Sequence, residues 1–211
     1  MNFMIVKSLT VSMFGTNCYL AACPQTNEAV IIDPGADGKG IIDLVKSLQY
    51  TVKYILNTHG HIDHIGANGN LKAEYSVPIL LHEADLKIYN NPGFGLGLVL
   101  KKQPQPDRYI SHGDLIEFGS ESLTVIETPG HSPGGVCFYS GSLLFCGDTL
   151  FSGSIGRTDL AGGSFETLMS SICQKILPLP AETVVYPGHG PATSVKNEVS
   201  SNPFIVNYLQ K

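Results

Sequence analysis

Thr58-His59-Gly60-His61-Ile62-Asp63-His64 places three imidazoles and a carboxylate within seven residues, a density that a plain polar turn does not need. His59 and His61 flank Gly60, so in an extended backbone their side chains leave on the same side and can grip one cation. Asp63 and His64 follow where the chain bends away, which suits them to a second cation beside the first. Imidazole nitrogen and carboxylate oxygen without thiolate fit catalytic Zn, Fe or Mn better than a closed structural Zn. The expectation is a site for two divalent metal ions, zinc foremost, with iron or manganese as the alternatives. Residues 52–56 form a short β-branched and aromatic run that Asn57 and Thr58 end, and helical character is expected from Ile65 onward. The ligands therefore sit on a strand-to-helix loop, where α/β proteins hold much of their chemistry.

The composition narrows the partner. With 43% hydrophobic and only 15% charged residues, the 211-residue chain can bury an ample core and is not disordered. No composition break divides it, so residues 1–211 are taken as a single domain. A net charge of −5 with no run of Lys or Arg leaves no footprint for nucleic acid or an anionic membrane, and the partner is expected to be a small molecule. Five cysteines, an odd number without C-x-x-C spacing, point to a reducing compartment, so the protein is expected to be cytoplasmic. Leu20-Ala21-Ala22-Cys23 looks like a lipoprotein cleavage site. The run before it is broken by Gly15-Thr16-Asn17, however, and residues 17–22 read better as a strand.

Strands are expected over residues 3–11, 17–22 and 29–32, a helix over 40–48, the strand 52–56, a short helix over 69–75, a strand at 78–81 and a helix at 83–89. The second half starts again with strands at 115–118, 123–127, 136–140 and 143–146. An amphipathic helix follows over 164–176 with Ser164 as N-cap, and then a buried-type strand at 183–186. Each half runs from strands into helices. The fold class is therefore α/β, a four-layer αβ/βα sandwich of two mixed β-sheets face to face with helices on the outer faces. Residues 90–109, rich in glycine and then proline, read equally well as a mobile cover over the site or as an ordinary surface excursion.

Three more polar residues stand just after apolar runs and beside glycine: His131 in Thr128-Pro129-Gly130-His131-Ser132, Asp148 in Phe145-Cys146-Gly147-Asp148-Thr149, and His189 in Tyr186-Pro187-Gly188-His189-Gly190. With the opening stretch they supply five histidines and two aspartates, about what two adjacent cations require. Over essentially the whole chain this set resembles the metallo-β-lactamase superfamily. The resemblance implies that His59, His61 and His131 hold one metal, that Asp63, His64 and His189 hold the other, and that Asp148 bridges them. Within the superfamily, Gly147-Asp148-Thr149-Leu150-Phe151 and Gly156-Arg157-Thr158-Asp159 look most like the hydroxyacylglutathione hydrolase (glyoxalase II) group.

Two cations sharing a carboxylate bring a bound water to hydroxide near neutral pH, and Asp63 is the side chain expected to steer it. A thiolate leaving group needs little protonation, so the expected reaction is hydrolysis of a small-molecule thioester of the S-lactoylglutathione type. Arg157 matches a basic position that pairs with a glutathione carboxylate, and a salt bridge to Asp159 is the competing role. Asp159 and Pro191 stand where glutathione enzymes carry tyrosine, and those enzymes continue into a helical domain. β-Lactamases of this fold lack an aspartate at the position of Asp148, so antibiotic hydrolysis is not expected. The alternative activity is that of a persulfide dioxygenase, which would hold a single iron on His59, His131 and Asp148. Gly130-His131-Ser132-Pro133-Gly134 also spells the G-x-S-x-G of serine hydrolases, but Gly134-Gly135 leads into a strand, not the helix a nucleophile elbow requires.

Overall fold

A computed structural model describes residues 4–91 and 102–210. The first sheet has six strands in sequential order: β1 (Ile5–Val11), β2 (Thr16–Ala22), β3 (Glu28–Ile32), β4 (Thr51–Leu56), β5 (Ile79–Leu81) and β6 (Arg108–Tyr109). It opens as an antiparallel meander and becomes parallel from β3 onward. The second half gives β7 (Leu115–Phe118), β8 (Glu121–Glu127), β9 (Val136–Tyr139) and β10 (Leu143–Gly147), then a small hairpin of β11 (Leu150–Phe151) and β12 (Ser154–Ile155). β13 (Val184–Pro187) and β14 (Thr193–Ser194) complete the second sheet, in the order β14-β13-β10-β9-β8-β7. Its one parallel pair is β10 with β13, so both sheets are mixed.

Alternation along each strand makes the layers. Val30, Ile32, Leu56 and Leu80 of the first sheet meet Phe118, Val125, Phe138 and Phe145 of the second in one buried core. The intervening residues Ile31, Ile55 and Ile79 face the other way. They pack on Ile41 and Val45 of α1 (Gly38–Ser47) and Leu71 of α3 (Asn68–Tyr75), with the short α2 (Ile62–Ile65) between the two helices in the chain. On the far side Cys137, Leu144, Cys146 and Val185 pack on Leu168 and Met169 of α5 (Phe165–Ser171), which follows α4 (Leu86–Tyr89) in helix order. The same outer core takes in the wider helical turn Ile172–Ile176, α6 (Val195–Ser201) and α7 (Pro203–Leu209). This is the expected four-layer sandwich. Ser164 caps α5 by accepting a hydrogen bond from the amide of Thr167, as its position implies.

Some local expectations need correction. The helix after the histidine stretch starts at Ile62 and not at Ile65, so Asp63 and His64 lie on a helical turn rather than on the loop itself. The two-residue strands and the pair of helices after β14 carry no periodicity long enough to read. Of residues 90–109, 92–101 lie outside the described residues. The remainder is tied down: Tyr89 Oη donates to the carbonyl of Pro104 at 2.6 Å, Gln105 Nε2 donates to Asn90 Oδ1 at 2.7 Å, and Arg108–Tyr109 pairs with β5. The five cysteines are free. Among the described residues no helix is long and apolar enough to cross a membrane.

Candidate metal centre

Five aspartate and histidine side chains project from strand ends, and they converge where the two sheets meet. Asp33 follows β3, His59 follows β4, His131 follows β8, Asp148 follows β10 and His189 follows β13. Cross-sheet bonds bring these ends together. The amide of Val136 donates to the carbonyl of Thr58 at 2.8 Å, the amide of Asn17 donates to the carbonyl of Gly188 at 2.7 Å, and Asn17 Nδ2 reaches the carbonyl of Gly190 at 2.8 Å.

All seven residues expected as ligands fall in this one cluster. His61 Nδ1 lies 2.9 Å from His131 Nε2, and the ring of His59 stands 4.9 Å from that of His61 and 4.8 Å from that of His131. His189 Nε2 lies 3.3 Å from His64 Nε2 and 3.3 Å from Asp63 Oδ2. Nitrogens on a tetrahedral zinc stand about 3.3 Å apart, given zinc–nitrogen bonds of about 2.05 Å. Asp148 lies between the two groups: its Oδ1 is 3.3 Å from His64 Nε2, and its Oδ2 is 3.6 Å from both His131 Nε2 and His189 Nε2. The trios His59-His61-His131 and Asp63-His64-His189 each have donor atoms close enough for one ion.

The outward ring nitrogens of His131, His189 and His64 are engaged in ways that free the inward atoms. His131 Nδ1 donates to the carbonyl of Arg157 at 2.8 Å and His189 Nδ1 to the carbonyl of Phe14 at 3.2 Å. Asp33, which the sequence reading passed over, accepts from His64 Nδ1 at 2.9 Å, from Thr58 Oγ1 at 2.6 Å and from the amide of Thr58 at 2.7 Å. A carboxylate on the outward nitrogen fixes a histidine's tautomer and turns the other nitrogen toward a metal. Asp33-Pro34-Gly35 shows the same strand-end signature as the other sites, but Asp-Pro-Gly alone reads as a turn.

Whether these residues fit metal ions is tested by the atoms left over. His59 Nε2 and Asp148 Oδ1 are buried and have no hydrogen-bond partner among the described residues, a costly state for polar atoms unless an ion takes them up. Nitrogen and oxygen donors, aimed inward from a braced shell, suit borderline divalent cations. The residues fit a pair of them.

Charge is distributed unevenly across the cluster. Burial and the neighbouring rings hold His59 well below the ordinary histidine range, and burial with the adjacent His131 pushes His61 down to about 4. Burial would lower His64 as well, but the carboxylates of Asp148 and Asp33 together raise it; the hydrogen bond to Asp63 raises His189. Burial would raise Asp63 and Asp148, yet the imidazoles of His189 and His64 hold both below the carboxylate range. In the metal-free protein His59 and His61 are therefore biased toward the neutral form that takes a cation, whereas the carboxylates bias His64 and His189 toward the protonated form. Lowering the pH from about 8 to about 6 is expected to weaken the second group's hold on a cation before that of His59 and His61 fails. Metal content after equilibration at each pH checks this, and loss of both cations together would contradict it.

Arg157 pairs in a fork with Asp159, Nε to Oδ1 at 2.8 Å and Nη2 to Oδ2 at 2.7 Å, and its side chain is 60% exposed. The competing salt-bridge role is thus the one the structure contains. Ser132 is buried and its Oγ donates to Asp85 Oδ2 at 2.8 Å, which leaves no nucleophile elbow. Cys146 faces the outer core, its Sγ against the carbonyl of Leu150 at 3.1 Å. His82 caps the turn Glu83–Asp85, its Nδ1 accepting from the amide of Ala84 at 3.2 Å.

The model of the Metallo-beta-lactamase superfamily matches residues 12–189, from the β1–β2 turn to the last ligand. The chain belongs to this superfamily. Hydroxyacylglutathione hydrolase GloC of Haemophilus influenzae is 36% identical to it, over 96% of this chain and 98% of that protein. The crystal structure of BLEG-1 B3 metallo-beta-lactamase superposes with a TM-score of 0.90 at 38% identity, covering 95% of this chain and 99% of that one. TTHA1623, solved in a di-iron-bound form, gives a TM-score of 0.85 at 37% identity over 94% and 99% of the two chains. As a member of the metallo-beta-lactamase superfamily the protein is a metal-dependent hydrolase, and its His/Asp cluster is consistent with a binuclear centre.

Proposed function

We propose that this superfamily member hydrolyses a small-molecule thioester of the hydroxyacylglutathione type. His59, His61 and His131 would hold one divalent cation, Asp63, His64 and His189 the other, and Asp148 both. The observation that carries the reading is the donor set, with His59 Nε2 and Asp148 Oδ1 left unbonded at its centre. GloC adds the substrate class. Zinc is the proposed metal, and the di-iron form of TTHA1623 makes iron its direct competitor.

Two such ions supply a hydroxide near neutral pH and electrophilic assistance to a carbonyl. The protein's own groups do the positioning. Asp63 is at the mouth, its side chain 19% exposed, and its Oδ2 accepts a 3.4 Å hydrogen bond from Thr16 Oγ1. Held ionised and beside His189, it orients the attacking water toward the substrate carbonyl. Both cleft carboxylates stay ionised, so neither can protonate a leaving group, and a thiolate is the leaving group that needs no such help. Arg157, on the rim, would contact the substrate only by exchanging Asp159 for a substrate carboxylate. Five unpaired cysteines suit a reducing compartment such as the cytoplasm.

The likeness to BLEG-1 favours β-lactam hydrolysis as a second reading. Assay of the zinc-loaded and iron-loaded protein with S-lactoylglutathione and a chromogenic cephalosporin separates the two. The expected kcat/KM is on the order of a thousandfold higher for the thioester. Faster turnover of the cephalosporin would overturn the assignment.

A further inference from the structure

Asp85, just before α4, is a fully buried carboxylate outside the set of seven donors, and it joins two of their loops. Its Oδ2 accepts hydrogen bonds from the amide of Gly60 at 2.7 Å and from Ser132 Oγ at 2.8 Å, and its Oδ1 from the amide of Gly134 at 2.6 Å. Gly60 separates His59 from His61, and Ser132 follows His131. One side chain therefore spans both loops that carry the His59-His61-His131 trio.

The approach is close enough to fix residue types. A Cβ on Gly60 would come within 3.0 Å of the carbonyl oxygen of Asp85 and the amide nitrogen of Tyr89, and one on Gly134 within 2.7 Å of the Asp85 amide. Among the described residues no lysine or arginine forms an ion pair with Asp85. A buried negative charge without a cationic partner is costly, and a dication held a short way off through low-dielectric protein would offset it.

We propose that Asp85 is the positioning residue of the first cation: it sets the His59–His61 loop against the His131 loop and adds a buried negative charge behind them. Ser132 acts with it as a hydrogen-bond donor, which gives the G-x-S-x-G spelling a role without a nucleophile. The proposal rests on the reading that this trio holds a cation, and the two can fail separately.

Cobalt(II) is the probe, titrated into metal-free wild-type, Asp85→Asn and Ser132→Ala proteins against a chromogenic chelator, with the visible spectrum recorded at each step. Asp85→Asn is expected to hold the first cobalt about 10- to 100-fold more weakly and with shifted ligand-field bands. A merely structural role would lower thermal stability without moving those bands. Equal affinity and an identical spectrum in Asp85→Asn would overturn the role of Asp85 alone, whereas a wild-type chain that takes up no cobalt would overturn the metal reading with it. If Asp85→Asn does not fold, Ser132→Ala decides: cobalt held several-fold more weakly supports the proposal, and unchanged cobalt binding overturns it.

Discussion

Asp148→Ala is expected to give a folded protein that keeps at most one cation and hydrolyses thioester about a thousandfold more slowly, equivalent to about 4 kcal/mol in the barrier. The size follows from its position. Its two oxygens stand 3.3–3.6 Å from His64, His131 and His189, so this one carboxylate faces residues of both trios. Removing it takes away that donor and leaves the raised His64 with Asp33 and Asp63 as its carboxylate partners. Metal analysis and turnover of the same preparation check the result. Two cations and unaltered hydrolysis would show that Asp148 does not bridge.

Gly188→Ala is expected to act nearly as strongly through a single methyl group. The backbone at Gly188 is not in the left-handed region, so alanine fits the chain itself. The added Cβ, however, would press on Asp148 Oδ1 and lie 2.7 Å from His64 Cε1, in the space between Asp148 and the second trio. Overpacking of this kind costs about 1–3 kcal/mol, a loss of a few degrees in Tm for a chain of this size. The cluster should lose its second cation, and hydrolysis should fall about a hundredfold. Thermal unfolding with metal analysis separates the outcomes: a folded variant with both cations and full activity would mean that this space is not where an ion is held.

The readable parts of the molecule were those that sequence repeats. Nearly continuous apolar runs in 29–32, 52–56, 136–139 and 143–146 mark strands covered on both faces, whose successive residues feed the inner and outer cores, so the four layers follow from the pattern. Of the seven expected donors, Asp63 and His64 stand out only by their place in the histidine stretch, whereas His59, His61, His131, Asp148 and His189 each stand beside a glycine past a strand end. Asp33 has that signature too but hides in an Asp-Pro-Gly turn. Asp85 has none: in Glu83-Ala84-Asp85-Leu86 it reads as a solvated acid near a helix start, and only the tertiary fold shows that Gly60, Ser132 and Gly134 close over it. Arg157 was ambiguous for the opposite reason, since its partner Asp159 is near in sequence while a substrate leaves no trace there.

The central claim, a two-cation thioester hydrolase, meets its most direct test in one preparation: metal content per chain, measured together with S-lactoylglutathione turnover as the metal is withdrawn and restored. The account predicts two divalent cations per chain at full activity, loss of hydrolysis as they are removed, and recovery when they return. One iron per chain, with oxygen consumed on a persulfide and no thioester cleaved, would contradict it.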